Sequence, residues 1–117
     1  MRARLTLERG PGSPAVYELE PQGTVSLGRN LNNTVVLQDE HASRWHAEIV
    51  HERGRWLIRD LDTRYGTRVN RERIEEAQLT GGDEVQIGKF RLLFLTSQDL
   101  GPTPSADRRG RGAQDYA

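Results

Sequence analysis

The chain has 117 residues, of which 34% are hydrophobic, 6% are aromatic and 29% are charged, so we expect one domain with a small core and a well-solvated surface. Its 17 basic residues balance its 17 acidic residues, which excludes a global field that would draw it to nucleic acid or an anionic membrane. Any anion site must therefore be local.

Targeting and redox features are absent from the sequence. The chain contains no cysteine, which excludes disulfides and thiolate metal sites and is typical of a reducing compartment. Two early arginines at the amino terminus are not followed by an apolar run, so no signal peptide is predicted. No stretch has the length needed to span a bilayer. We therefore expect a cytoplasmic protein that does not contact a membrane.

Alternation of apolar and polar residues between turn-forming residues predicts a series of short strands. They are expected at residues 4–8, 15–19, 24–27, 34–37, 45–51, 56–58, 85–87 and 90–95. Glu52-Arg53-Gly54 predicts a hairpin turn between two of these strands. Trp45 and Ala47 are expected to pack inside the fold. Leu93 and Leu95 lie on the opposite side of their strand from its other apolar residues, which predicts a last strand covered on both faces.

No window has a convincing helical period. Residues 71–79 come nearest, with Ile74 and Ala77 suitably spaced, but the lack of a cap limits them to a turn of helix at most. Many short strands with regular turn signals predict an all-β sandwich or barrel. From Ser97 the chain has glycine, proline and arginine without apolar period, so we expect a folded domain over 1–96 and a flexible, disordered tail over 97–117.

Four separated motifs, in order along the chain, carry a family resemblance. They are Gly28–Arg29, Ser43–Ala47, Asp60–Asn70 and Gly82–Gly88. Together they resemble the signatures of the forkhead-associated (FHA) domain, and the run 82–96 is similar to small single-domain FHA regulators of the actinobacterial type. The resemblance implies an eleven-stranded β-sandwich of the SMAD/FHA type with its binding loops at one end. It also implies a module that binds phosphothreonine in partner proteins.

The resemblance assigns roles around the second motif. Arg29 and the Ser43 hydroxyl are implied to bind the phosphate, because a phosphothreonine needs permanent cations and hydrogen-bond donors. Arg44 either adds a second cation or points into solvent. Gly28 is expected to let the backbone turn at the strand end. His46 is expected to hold the loop that carries Ser43, called the serine loop below, without touching the ligand.

The third motif departs from the family pattern. Tyr65 stands where the family has an asparagine that holds the peptide backbone beside the phosphothreonine. A tyrosine can donate one hydrogen bond or lay its ring along the peptide, but it cannot donate and accept as an amide does. Arg64 either adds a cation near the phosphate or is a solvated loop residue. Gly66 is expected to adopt a positive backbone dihedral, and Thr67 to be a structural strand residue.

Peptide specificity is assigned to the stretch before Ser43. His41 is implied to face the side chain three residues after the phosphothreonine, where it would suit an acidic or polar residue, or else it is an exposed turn histidine. Asp39 and Glu40 would oppose a strongly acidic peptide. Selection of threonine over serine, carried over from the family, would bury one methyl group, worth on the order of 0.8 kcal/mol.

The leading interpretation is a binding module with no catalytic residue, cofactor or metal. Its expected partner is a phosphothreonine-containing protein, such as a Ser/Thr kinase or its substrate. Catalysis by Ser43 with His46 as base lacks an acid to orient the imidazole, and His41, His46 and His51 lack the convergent spacing of a metal site.

Two further alternatives stay open. The FHA fold could bind protein without phosphate, with Tyr65 as the mark of that loss, or the segment Arg108–Gly112 could hold nucleic acid weakly. In the tail, Thr103 and Ser105 are the candidates for phosphorylation, and the alternative is an inert tail.

Overall fold

The computed structural model describes residues 2–97, and eleven strands form two sheets. The strands are β1 (Ala3–Arg9), β2 (Ala15–Leu19), β3 (Thr24–Gly28), β4 (Val35–Val36), β5 (Ala47–Glu52), β6 (Arg55–Asp60), β7 (Thr67–Val69), β8 (Glu72–Ile74), β9 (Glu76–Leu79), β10 (Glu84–Ile87) and β11 (Phe90–Thr96). The six-stranded sheet has the order β2-β1-β11-β10-β7-β8 and the five-stranded sheet the order β4-β3-β5-β6-β9. The predicted all-β, eleven-stranded architecture is confirmed. The predicted tail lies outside the described residues except for Ser97, whose amide donates to the Arg2 carbonyl.

The core lies between the two sheets and follows from the two-residue period of the strands. In β1 every second side chain is buried, and β11 packs beside it in register with the same alternation. The fully buried large side chains come from both sheets: Leu5, Leu7, Leu19, Leu27, Leu37, Ile49, Ile58, Ile87, Phe90, Leu92 and Phe94. The hairpin predicted between β5 and β6 is present. Arg53 and Gly54 form its turn, and both have the positive φ that a two-residue type I′ turn requires.

Residues 71–79 contain two strands, where the sequence allowed a turn of helix at most. Asn70 and Arg71 have φ of 51° and 75° and turn the chain from β7 into β8. β8 then pairs with β7, and β9 pairs with β6 in the other sheet. The helical spacing was therefore misleading, because tertiary pairing at two sheet edges decides the conformation of a segment with few apolar residues.

Two core assignments were also wrong in detail. Trp45 precedes β5, which begins at Ala47, and its side chain is 47% exposed, whereas Ala47 is fully buried. Leu93 and Leu95 face away from the core and are only partly buried, so β11 is not fully covered on its outer face. Among residues 2–97, no helix is long and apolar enough to cross a membrane.

Ile58 offers a direct test of the core, because it is fully buried in β6 between β5 and β9. Ile58→Ala should lower the free energy of unfolding by about 2 to 5 kcal/mol, through lost burial and the cavity that remains. Chemical denaturation measures the change. Val16→Ala, at a position that is 54% exposed in β2, is the control and should stay within about 0.5 kcal/mol of the parent. Equal effects of the two substitutions would contradict the assignment of the core.

Candidate functional site

The candidate site lies at the ends of β3, β4 and β6, where three loops meet. The amide of Arg29 donates to the Ser43 carbonyl at 2.9 Å, and the amide of Asn30 donates to the Arg44 carbonyl at 3.1 Å. These bonds place Arg29 beside Ser43 although the two residues lie 14 positions apart in the chain. The first two motifs therefore meet at one end of the sandwich.

Close packing, rather than a turn, explains Gly28. Its φ is not positive, but a Cβ at this position would overlap the Arg44 carbonyl and the side-chain nitrogen of Asn33. The buried Asn33 amide in turn donates to the carbonyls of Asn30 and Arg44, each at 2.8 Å. β3 ends at Gly28 and the chain bends after it, but the need for glycine comes from this close packing, and Asn33 ties the two loops together.

His46 joins the serine loop to the third motif. Its Nδ1 accepts a hydrogen bond from the Ser43 amide at 3.0 Å, so the ring proton must be on Nε2, which lies 2.8 Å from the Gly66 carbonyl and donates to it. The ring is fully buried. Only the neutral Nε2–H tautomer satisfies both contacts, because a protonated Nδ1 would oppose the Ser43 N–H.

The two contacts of His46 also decide against a catalytic role. Both ring nitrogens are occupied by backbone groups, so the imidazole has no lone pair to accept the Ser43 hydroxyl proton. The same occupancy prevents coordination of a metal, and among residues 2–97 no three histidine or carboxylate side chains form a cluster that could hold one.

Asp60 holds the base of the loop between β6 and β7. Its carboxylate accepts hydrogen bonds from the Thr63 amide and hydroxyl and from the Thr67 hydroxyl, at 2.7 to 2.9 Å. The Thr63 hydroxyl accepts from the Gly66 amide at 3.0 Å. Burial alone would raise the pKa of Asp60, but these hydrogen bonds from Thr63 and Thr67 lower it overall. Thr67 is fully buried, and Gly66 has the predicted positive φ, 82°.

Tyr65 lies at the tip of this loop, 47% exposed, with its ring edge-on to that of His41 at 4.6 Å between centroids. The Arg64 guanidinium lies 5.5 Å from the centre of the Tyr65 ring. Beside them is a surface cavity of about 350 Å³, also lined by Gly66, Arg68, Gln86, Gly88 and Lys89. The predicted specificity residue His41 is therefore a neighbour of Tyr65, which stands where the family pattern has asparagine.

Asp39 links the serine loop to the turn between β10 and β11. Its side chain is buried, and its Oδ2 accepts a hydrogen bond from the Lys89 amide at 3.0 Å in the turn between β10 and β11. Burial alone would raise the pKa of Asp39, but hydrogen bonds from the Lys89 and His41 backbone lower it overall. Of the two acids expected to oppose acidic peptides, only Glu40 is exposed.

The cations of the site are unpaired. Arg29, Arg44 and Arg64 are exposed, and in the described part of the chain none of the three forms an ion pair with a carboxylate. By contrast, Arg59 on the five-stranded sheet reaches Glu48, Glu52 and Glu76. An end of the molecule that carries free guanidinium groups around a partly buried serine is suited to bind an anion.

The chain is similar to known proteins over most of its length. The FHA domain family model matches residues 25–88. The glycogen accumulation regulator GarA of Mycolicibacterium smegmatis is 42% identical over 111 residues, which cover 95% of this chain and 66% of GarA. The oxoglutarate dehydrogenase inhibitor of Corynebacterium efficiens is 42% identical over 93 residues, which cover 80% of this chain and 65% of the inhibitor. The chain thus spans slightly less than two thirds of the length of these relatives.

A solved structure gives the same result for the fold. It comes from a structural and functional study of phosphothreonine-dependent FHA domain interactions and superposes with a TM-score of 0.74 at 30% identity. The match covers 82% of this chain and 97% of that structure.

The buried imidazole predicts a pH dependence of stability. Burial lowers the pKa of His46 below 6.5, with the Gly66 carbonyl and Asp60 opposing the shift, whereas the unfolded chain keeps the ordinary value. The unfolded state therefore binds a proton first, so the stabilisation by neutral His46 is fully present above about pH 6.5 and is lost as the pH falls below it.

Chemical denaturation between about pH 7.5 and pH 5.5 measures this dependence. His46→Gln should be less stable at neutral pH and should flatten the decline in mild acid, because it removes the titrating group. His51→Gln, which removes a partly exposed imidazole on β5, is the control and should keep the decline. A parent protein whose stability is constant over this range would contradict the buried neutral ring.

Proposed function

Because the chain belongs to the FHA domain family, we propose that it is a phosphothreonine-dependent protein-binding module that regulates its partners without catalysis. The observation that carries this proposal is the arrangement of Arg29, Ser43 and Arg44, where two unpaired cations flank a partly buried serine. A phosphothreonine brings close to two negative charges and three acceptor oxygens, which match these donors.

Each residue has a distinct role in the proposed complex. Arg29 binds the phosphate with two parallel hydrogen bonds, because a guanidinium fork matches two phosphate oxygens. The Ser43 hydroxyl donates to a third oxygen, and its amide stays on His46. Arg44 and Arg64 supply further positive charge at the rim. Tyr65 packs along the peptide, while Gly28, His46, Gly66 and Thr67 maintain the loops and do not touch the ligand.

The names of the relatives support a regulatory role. One relative is called a regulator of glycogen accumulation, and another an inhibitor of oxoglutarate dehydrogenase. A solved neighbour is the FhaA FHA domain in complex with the intracellular domain of another protein, Rv3910. We propose that this chain likewise binds a phosphothreonine-containing protein, either a Ser/Thr kinase or its substrate.

Phosphate-independent binding is the competing function. Tyr65 in place of asparagine is the observation that favours it, because the ring cannot hold a peptide backbone through paired hydrogen bonds. The unpaired cations argue against it, since they would serve no purpose at a neutral interface. The nucleic-acid alternative rests on Arg108–Gly112, which lies outside the described residues, as do Thr103 and Ser105.

Removal of the phosphate contacts tests the proposed function. A charge-assisted hydrogen bond contributes roughly 1.5 to 3 kcal/mol, so Arg29→Ala and Ser43→Ala should each weaken binding of a phosphothreonine peptide about 10-fold to 100-fold. The peptide is the tightest binder of an oriented phosphothreonine library screened with the parent, and titration calorimetry gives its affinity.

The matched control is Arg55→Ala, which removes the same charge at the opposite end of β6. Phosphoserine and unphosphorylated versions of the peptide should bind more weakly than the phosphothreonine version. Unchanged affinity in Arg29→Ala would show that the phosphate site is misassigned, and equal binding of the unphosphorylated peptide would favour the phosphate-independent function.

We further propose that the cavity beside Tyr65 gives the site a preference for an acidic side chain in the bound peptide. Arg68 and Lys89 line this cavity together with His41. Asp39 is buried against the Lys89 amide, and Glu40, although exposed, does not line the cavity. The accessible charge is therefore positive, so a carboxylate of the peptide would gain Coulomb attraction at partial solvent exposure.

Charge removal at the cavity tests this preference. Replacing the acidic residue of the selected peptide by its amide should weaken binding about 3-fold to 10-fold in the parent, and clearly less in Arg68→Ala or Lys89→Ala. Fluorescence anisotropy at low and high salt measures both peptides. A library selection that yields no acidic residue beside the phosphothreonine would rule the preference out.

A further inference from the structure

The tip of the loop between β6 and β7 carries two free backbone donors. The amides of Thr63 and Gly66 are bound, to the Asp60 carboxylate and the Thr63 hydroxyl. The two amides between them, of Arg64 and Tyr65, donate to no acceptor within residues 2–97. A pair of consecutive unpaired amides in an exposed loop is available to a ligand.

Arg73 contacts this loop from its other side. From β8, its Nη2 donates to the carbonyls of Thr63 and Arg64, at 3.3 and 3.4 Å. Its guanidinium also lies against Gly66, where a Cβ would overlap Nε and Cζ. One cation on a neighbouring strand thus touches three of the four residues from Thr63 to Gly66.

The direction of the two carbonyls fixes the direction of the Arg64 and Tyr65 amides. A trans peptide unit is planar, and its N–H points opposite to its C=O. The Thr63 carbonyl and the Arg64 amide belong to one unit, and the Arg64 carbonyl and the Tyr65 amide to the next. Since both carbonyls point toward Arg73, both amides point away from it.

The side of the loop away from Arg73 is where the proposed phosphopeptide would bind. The loop lies between two surface cavities: one of about 570 Å³ lined by Arg73 with Asp60, Asp62 and Thr63, and the other shared by Tyr65, Gly66 and His41. Tyr65 meets His41 of the serine loop on this second side. Amides that point there face the space which a phosphopeptide bound at Ser43 would occupy.

We propose that Arg73 is a positioning residue that orients the Arg64 and Tyr65 amides to donate hydrogen bonds to the phosphothreonine-bearing peptide. This inference rests on the proposed function and adds to it a backbone contact that does not depend on the Tyr65 side chain. The guanidinium also neutralises the negative ends of the two peptide dipoles, which leaves their N–H ends as stronger donors. Arg73 itself does not touch the ligand.

Substitution of Arg73 tests the inference with the peptide selected from the phosphothreonine library. Arg73→Ala should weaken binding about tenfold, which is the effect of losing roughly 1.4 kcal/mol. Arg73→Lys should bind with intermediate affinity, because an ammonium group can approach one carbonyl but cannot span both. Arg55→Ala removes an equal charge far from the loop and should bind like the parent.

Backbone NMR supplies a readout that a general loss of stability would not move. In the parent, the Arg64 and Tyr65 amide protons should shift downfield on peptide binding, and these shifts should shrink in Arg73→Ala while the shift at Ser43 remains. If Arg73→Ala proves poorly folded, the same comparison is made with Arg73→Lys, which keeps the charge.

The outcomes separate this inference from the proposed function. A parent that binds no phosphothreonine peptide would overturn both. If the parent binds and Arg73→Ala matches its affinity, or if the Arg64 and Tyr65 amides do not shift in the parent, this inference alone is overturned. Weaker binding with loss of those two shifts supports it.

Discussion

The site depends on one neutral imidazole that accepts at one nitrogen and donates at the other. His46 takes the Ser43 amide on Nδ1 and gives its proton to the Gly66 carbonyl, so one side chain fixes the distance between two loops. This arrangement requires burial, because water would compete for both nitrogens and would favour the charged form. The sandwich supplies the burial, since the His46 amide is itself bonded to the Leu27 carbonyl and the Leu61 amide to the His46 carbonyl.

Charge is distributed unevenly over a molecule whose formal net charge is zero. On the outer faces of the sheets, arginines meet carboxylates, as Arg4 meets Glu18 and Arg59 meets three glutamates. At the loop end Asp39 and Asp60 instead bind backbone and hydroxyl groups, and within residues 2–97 the exposed arginines there form no ion pair, although Glu40 and Asp62 are exposed nearby. A local positive potential therefore arises from where the acids are used and not from an excess of basic residues.

The strands and their turns followed from the sequence because they depend on local signals, such as the period of β1 or the Arg53-Gly54 turn. Residues 72–79 did not, since edge pairing with β7 and β6 decides their conformation. Arg29, Ser43 and His46 could be named from motifs, but the reason for Gly28 could not, because the Arg44 carbonyl and Asn33 reach it only in the folded chain. The contacts of Arg73 could not be predicted either, because nothing in the sequence distinguishes it from other exposed arginines on short strands.

Two supports of the loop from Thr63 to Gly66 differ in how they respond to acid. The contacts from Arg73 to the Thr63 and Arg64 carbonyls do not involve the imidazole, so protonation of His46 leaves them in place. When His46 is protonated, Nε2 still donates to Gly66, but Nδ1 gains a proton and opposes the Ser43 amide. Protonation of this ring, which burial disfavours because it lowers the His46 pKa, would therefore loosen the serine loop and leave the loop that carries Tyr65 anchored. The two sides of the peptide site are coupled through one ring, yet only one of them depends on its protonation state.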